Sequence, residues 1–159
     1  MMMKYPMTAA GHAALRDELR DRVRNERPRL AKRIQEAIAD DPNLVENSEY
    51  QAALAEQSVN EIRIAELEDR LARAEVIDVS KLSGETVKFG ATVTLMDEDT
   101  GEKRICQLVG EPEANVSRGK ISVSSPIGRA LIGKTKGTAV VVETPRGDKI
   151  YRIEKVEWL

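Results

Sequence analysis

DDPNLVENSEY, residues 40–50, decides how the chain folds, because it interrupts two long helical patterns. Pro42 disfavours helical geometry at Asp41, and Asn43 can cap the second helix. Upstream, from Thr8 as a suitable N-cap, Leu15, Leu19, Val23, Leu30, Ile34 and Ile38 recur at steps of four or seven, the apolar stripe of one helix. Downstream, Tyr50, Ala53, Gln57, Asn60, Ile64, Leu67, Leu71 and Ala74 alternate steps of three and four, as a coiled-coil seam does. The two helices should pair antiparallel with a tip near residues 40–47. Arms of about 30 residues extend on the order of 45 Å, far more than a small domain needs for stability, so the protrusion reaches toward something. Pro28 should bend the first arm, while Gln57 and Asn60 make the seam polar and fix its register.

After Val76 the period changes. Residues 80–85 read as a linker, and Val87, Phe89, Ala91, Val93 and Leu95 then alternate with other residues as in a strand. Further strands are expected at Ile105 to Val109, Ile121 to Val123, Ala139 to Val142 and Ile150 to Trp158, with a turn over Pro145 to Asp148. Residues 127–132 suit a short helix. The fold class is therefore α+β, with an antiparallel helical hairpin over 1–79 and a small, largely antiparallel sheet domain over 80–159.

Composition narrows the function. The chain has 159 residues, 33% charged and only 3% aromatic, which excludes a large aromatic core. A net charge of −2 gives no whole-protein attraction to phosphate backbones, so a nucleic-acid role must come from a local patch or through a partner. A single cysteine, Cys106, cannot form an internal disulfide, and the lone His12 cannot join cysteines in a metal site. No apolar run approaches the roughly 18 residues of a membrane span, and Met1 to Met7 lacks the apolar core of a secretion signal. The expectation is a soluble, cytoplasmic protein without a membrane partner.

PMT at 6–8, ERP at 26–28, ENSEY at 46–50, RLARAEVID at 70–78, FGATVTL at 89–95, ISVSSPIGRALIGK at 121–134 and TPRGDKIYRIEKVEWL at 144–159 together resemble the GreA/GreB family of bacterial transcript elongation factors. The resemblance covers nearly the whole chain. It implies a coiled-coil hairpin followed by an FKBP-like domain without isomerase activity. The second domain of such factors docks on the rim of the RNA polymerase secondary channel, and the hairpin descends toward the active site. There it meets the nascent RNA 3′ end of a backtracked complex. The factor is no enzyme: it stimulates the polymerase's own cleavage of that RNA, and is monomeric when free.

Cleavage of a phosphodiester uses two metal ions, and in the family the tip lends carboxylates to the weakly held one. The implied cofactor is thus Mg2+ held jointly with the polymerase, with none belonging to the chain itself. The family's tip reads roughly HGDLxENAEY, with the Asp and the first Glu as its acids. Here Glu46 matches the second acid, Asn43 stands at the Asp and Pro42 at the Gly, and the tip carries one more residue counted from Pro28. Asn brings no negative charge, so Asp41 or Asp40 is the substitute acid, or else the tip blocks the channel without promoting cleavage. The tip candidates are Asp41, Asn43, Glu46 and Glu49, with Glu46 and Asp41 as metal ligands. Ser124, Ser125, Pro126 and Ile127 resemble the docking loop. Arg24, Arg27, Arg29, Lys32 and Arg33 resemble the basic patch that contacts RNA, although interleaved acids also suit an ordinary solvated face. An active prolyl isomerase with a chaperone arm is a third reading, disfavoured because Phe89, Tyr151 and Trp158 are the only aromatics of the C-terminal half.

Overall fold

The structure, a computed structural model, describes residues 4–159. They form two compact units, one of residues 12–74 and one that joins residues 4–11 to 75–159.

The first unit is the helical hairpin. One arm runs through α1 (Ala9–Asp21), a π-helical turn (Arg22–Glu26) and α2 (Arg27–Asp40), and the other is α3 (Ser48–Ala72). Pro28 accounts for the π-turn: its ring collides with the carbonyl four residues back and it has no N–H to donate. The backbone widens just ahead of it, so that the Arg27 N–H reaches the Arg22 carbonyl, five residues back. Asn60 of α3, only 4% exposed, closes over this turn. Its Oδ1 accepts from Arg22 Nη1 at 3.1 Å and its Nδ2 donates to the Arg22 carbonyl at 3.4 Å. The polar seam position is thus satisfied and fixes how the arms align.

The apolar seam itself is thin. Leu15, Leu30 and Ala37 from the first arm meet Ala53, Ile64 and Leu67 from the second. Ile38, expected in the stripe, is 40% exposed, because the seam follows the seven-residue step from Leu30 to Ala37. Alongside it, Arg63 grips both oxygens of Glu18 at 2.9 Å, and Arg22 donates to the same carboxylate at 2.8 Å.

The second arm ends sooner than its pattern implied. Ala74 is not helical but opens β2 (Ala74–Ile77), which pairs with β1 (Tyr5–Thr8). Four-residue strands carry almost no period-two signal, and neither was anticipated. This ladder moves the start of the chain into the sheet unit, so the division differs from the expected one at 79/80. Thr8 ends β1 and also caps α1, its hydroxyl oxygen accepting the Gly11 N–H at 3.0 Å. Glu113 secures it from the sheet unit by accepting the Thr8 N–H at 3.1 Å, the Gly110 N–H at 3.2 Å and the Thr8 hydroxyl.

The sheet of the second unit contains β3 (Thr92–Asp97), β4 (Lys103–Val109), β5 (Lys120–Ser122), β6 (Ala139–Thr144) and β7 (Gly147–Glu157), in the order β5-β4-β3-β7-β6. All neighbours are antiparallel except β4 and β5, which run parallel. A short helix, α4 (Pro126–Leu131), closes one face, with Leu131 packed among Val93, Leu95, Leu108 and Ile153. Cys106 points into this core while Ile105 is 64% exposed. β3 lies between two neighbours and is buried on both faces, Thr92 and Thr94 included, which is why its alternation is muted.

Glu18 makes the hairpin sensitive to acid. Hydrogen bonds from Arg63, then Arg22, hold its carboxyl down from the ordinary 4.5 to about 2. A folded pKa below the unfolded one stabilises the fold above the unfolded value, and that stability drains away as pH falls toward the folded value. With the side chain 32% exposed, solvent screening leaves about 1 kcal/mol of this effect. Thermal melts between about pH 5 and pH 2 should show the loss. Glu18→Gln should lower stability at neutral pH and flatten that part of the profile, and an unchanged profile would contradict the assignment.

Candidate functional site

The tip is a closed turn built by side chains. Asp41 caps the end of α2 with an extended backbone, and its N–H reaches the Ala37 carbonyl at 3.1 Å. Asp41 Oδ1 then accepts the Asn43 N–H at 3.0 Å, an Asx turn that Pro42, with its fixed φ, sits inside. The Asn43 carbonyl accepts the Glu46 N–H at 3.2 Å, and Asn43 Nδ2 donates to Glu46 Oε2 at 3.3 Å. Asn43 does not cap α3, contrary to expectation. Asn47 does, through Oδ1 accepting the Tyr50 N–H at 2.9 Å.

Asn47 is 6% exposed and its amide nitrogen donates to the carbonyls of Ala37, at 2.7 Å, and Asp41, at 2.9 Å. One side chain therefore satisfies the end of one helix and the start of the next. Spacing alone did not single it out, since a cap side chain bonds the N–H two or three residues on and both Asn43 and Asn47 offer that. Gln51 Nε2 adds a bond to the Leu44 carbonyl at 2.9 Å, leaving Val45 88% exposed at the outermost point. Tyr50 is half-buried beside the cap.

Asp41, Asn43 and Glu46 are brought together, and Glu49 is not: its carboxylate accepts from Arg33 Nε at 2.6 Å across the arms. Among the described residues no three His, Cys, Asp or Glu side chains converge as a metal cage. Asp41 and Glu46 supply hard anionic oxygens suited to Mg2+, but only as part of a ligand set completed from elsewhere.

The basic candidates are mostly paired with acids. Arg27 meets Glu61 at 3.0 Å, Arg29 meets Glu26 at 2.7 Å, and Arg33 meets Glu49 at 2.6 Å and Glu56 at 2.9 Å. Lys32 lies 3.8 Å from Glu36, whereas Arg24 is exposed with no acidic partner among the described residues. The field of this face is weaker than its count of cations implies.

In the sheet unit, Ser125 caps α4 by accepting the Gly128 N–H at 3.1 Å while its hydroxyl donates to the Ser122 carbonyl at 2.6 Å. A Cβ on Gly128 would stand 2.2 Å from that carbonyl, so only glycine fits there. Ser124 and Pro126 face solvent, whereas Ile127 packs against the core. Next to this turn lies a cavity of about 550 Å³ lined by Pro6, Val87, Phe89, Val123 and Ile132, with Lys88 and Arg129 as its charged lining. Its walls come from segments far apart in sequence, and no local pattern announced it. Phe89 is its one aromatic; Tyr151 belongs to the core, and Trp158 Nε1 donates to the Gly84 carbonyl at 3.0 Å.

Residues 5–76 match the family model described as Transcription elongation factor, N-terminal, and residues 82–158 match the one described as Transcription elongation factor, GreA/GreB, C-term. The chain belongs to the GreA/GreB family. The N-terminal match runs from β1 to within β2, so the two unanticipated strands lie inside the family's own N-terminal region. Relatives include the transcription elongation factor GreA of Nitrobacter winogradskyi, 61% identical over 158 residues and covering 99% of both chains. That of Bradyrhizobium diazoefficiens is 59% identical over 157 residues with the same coverage. Among solved structures, GreA factor homolog 1 of Thermus thermophilus is 33% identical, spans 97% of this chain and 99% of its own, and superposes with a TM-score of 0.44.

Asn47→Ala in this GreA/GreB chain should leave the Asp41 carbonyl and the Tyr50 N–H without their partner, while the Ala37 carbonyl keeps the Asp41 N–H, costing about 1–3 kcal/mol. Hydrogen exchange at residues 41–51 should accelerate while sheet amides keep their protection. Equal protection in the variant would show that Asn47 does not hold the turn.

Proposed function

We propose that the chain binds RNA polymerase, passes its hairpin tip into the secondary channel and stimulates the polymerase's cleavage of the nascent RNA 3′ end in backtracked complexes. The observation that carries this reading is the hydrogen-bonded tip, which presents Glu46 and Asp41 at the end of two paired helices. Family membership supports it. Glu46, with Asp41, would hold the Mg2+ shared with the polymerase; once bound, that ion activates water and stabilises the leaving oxygen. The sheet unit docks on the channel rim through Ser124 and Pro126, with the neighbouring apolar cavity receiving a partner side chain. Of the five basic candidates, Arg24 is the one left without an acidic partner among the described residues and so available to RNA phosphate.

A second reading, a channel-binding regulator without cleavage stimulation, is favoured by one observation: position 43 carries an amide and no charge. A purified backtracked polymerase complex separates the two. Adding the chain should shorten the RNA from its 3′ end, and Glu46→Ala should slow this tenfold or more, about 1.4 kcal/mol or above. Polymerase binding without shortening at saturating protein would favour the second reading, and absence of binding would exclude both.

A further inference from the structure

Asn43 holds both tip acids at once. Its backbone N–H donates to Asp41 Oδ1 at 3.0 Å, its amide Nδ2 to Glu46 Oε2 at 3.3 Å, and its carbonyl accepts the Glu46 N–H at 3.2 Å. An ionised carboxylate only accepts hydrogen bonds, so the amide nitrogen is the half of the Asn43 head group that faces Glu46. An aspartate at 43 could make no such bond and would set a like charge against Glu46 instead. Behind this turn, Asn47, the residue after Glu46, bonds the ends of both helices, and Gln51 holds Leu44. Each carboxylate accepts one bond inside the turn, and its second oxygen, Oδ2 on Asp41 and Oε1 on Glu46, has no partner among the described residues.

We propose that Asn43 is the positioning residue of an acid pair, Asp41 and Glu46, and that this pair, with no acid at position 43, meets the Mg2+ shared with the polymerase. The inference rests on the cleavage-stimulating reading of the tip and adds to it what orients the two acids. Asn43 contributes a clamp and no charge, and its backbone N–H holds Asp41 in the turn. Asn43→Asp keeps the backbone bonds but loses the donor, so it disorganises Glu46 even though it adds charge.

Four variants test this in the cleavage assay at saturating Mg2+. Asp41→Asn keeps the acceptor of the Asx turn and removes only charge, and it should slow cleavage as much as Glu46→Gln does. Asn43→Ala and Asn43→Asp should each slow it about two- to tenfold, the worth of one hydrogen bond. Faster cleavage by Asn43→Asp would overturn the proposal, as would an Asp41→Asn variant that cleaves like the parent. A second measurement needs no polymerase: in the free chain the Asn43 side-chain amide resonances should shift as Glu46 titrates, and lose that response in Glu46→Gln. An amide indifferent to Glu46 removes the clamp whatever the cleavage result. A responsive amide in a chain that binds polymerase but never shortens RNA leaves the clamp standing and overturns the cleavage reading, and the metal role of the pair with it.

Discussion

Asn47 bonds two carbonyls at the end of one helix and an N–H at the start of the next, and the rest of the hairpin depends on that join. Antiparallel arms of this length can slide past one another by whole turns unless something fixes where the chain reverses. A buried amide with a donor and an acceptor does so, because a slipped register would leave its polar atoms unpaired in an apolar setting. The tip geometry is a direct consequence: Glu46 precedes Asn47, and Asp41 offers it a carbonyl.

The same logic recurs at mid-length. Pro28 breaks the regular ladder, the π-turn absorbs the break, and Asn60 uses the Arg22 carbonyl and guanidinium on the opposite arm. With few large apolar residues in the seam, alignment rests on these matched polar contacts more than on hydrophobic area. Such contacts add little net stability but penalise misalignment, which is the role a single buried amide has in coiled coils.

Both arms were legible in the sequence because their apolar steps repeat over many turns and Asp-Pro-Asn stops them. The choice of cap was not, since Asn43 and Asn47 have the same chemistry and only the distance back to Ala37 decides between them. The short strands β1 and β2 stabilise each other across nearly the whole length of the hairpin sequence, a non-local pairing that no window can contain. The cations of the first arm were legible as residues and illegible as a surface. Arg27 finds Glu61 34 positions away, a match that exists only once the arms are aligned. Ser124 to Ile127 were visible as a turn; that Ile127 faces inward while Ser124 and Pro126 face out depends on the core beneath.

Charge is sorted along the hairpin by these pairings. Glu18, Glu26, Glu49, Glu56 and Glu61 are each matched to an arginine, so the sides of the arms are close to neutral. Asp40, Asp41 and Glu46 are exposed and have no basic partner among the described residues. Two of those acids lie at the C-terminal end of α2, where the helix dipole disfavours negative charge by about 0.3–1 kcal/mol each. A sequence selected for stability alone would place lysine or arginine there. Acids held at the point where the fold tolerates them least produce a tip whose negative charge has no basic partner among the described residues.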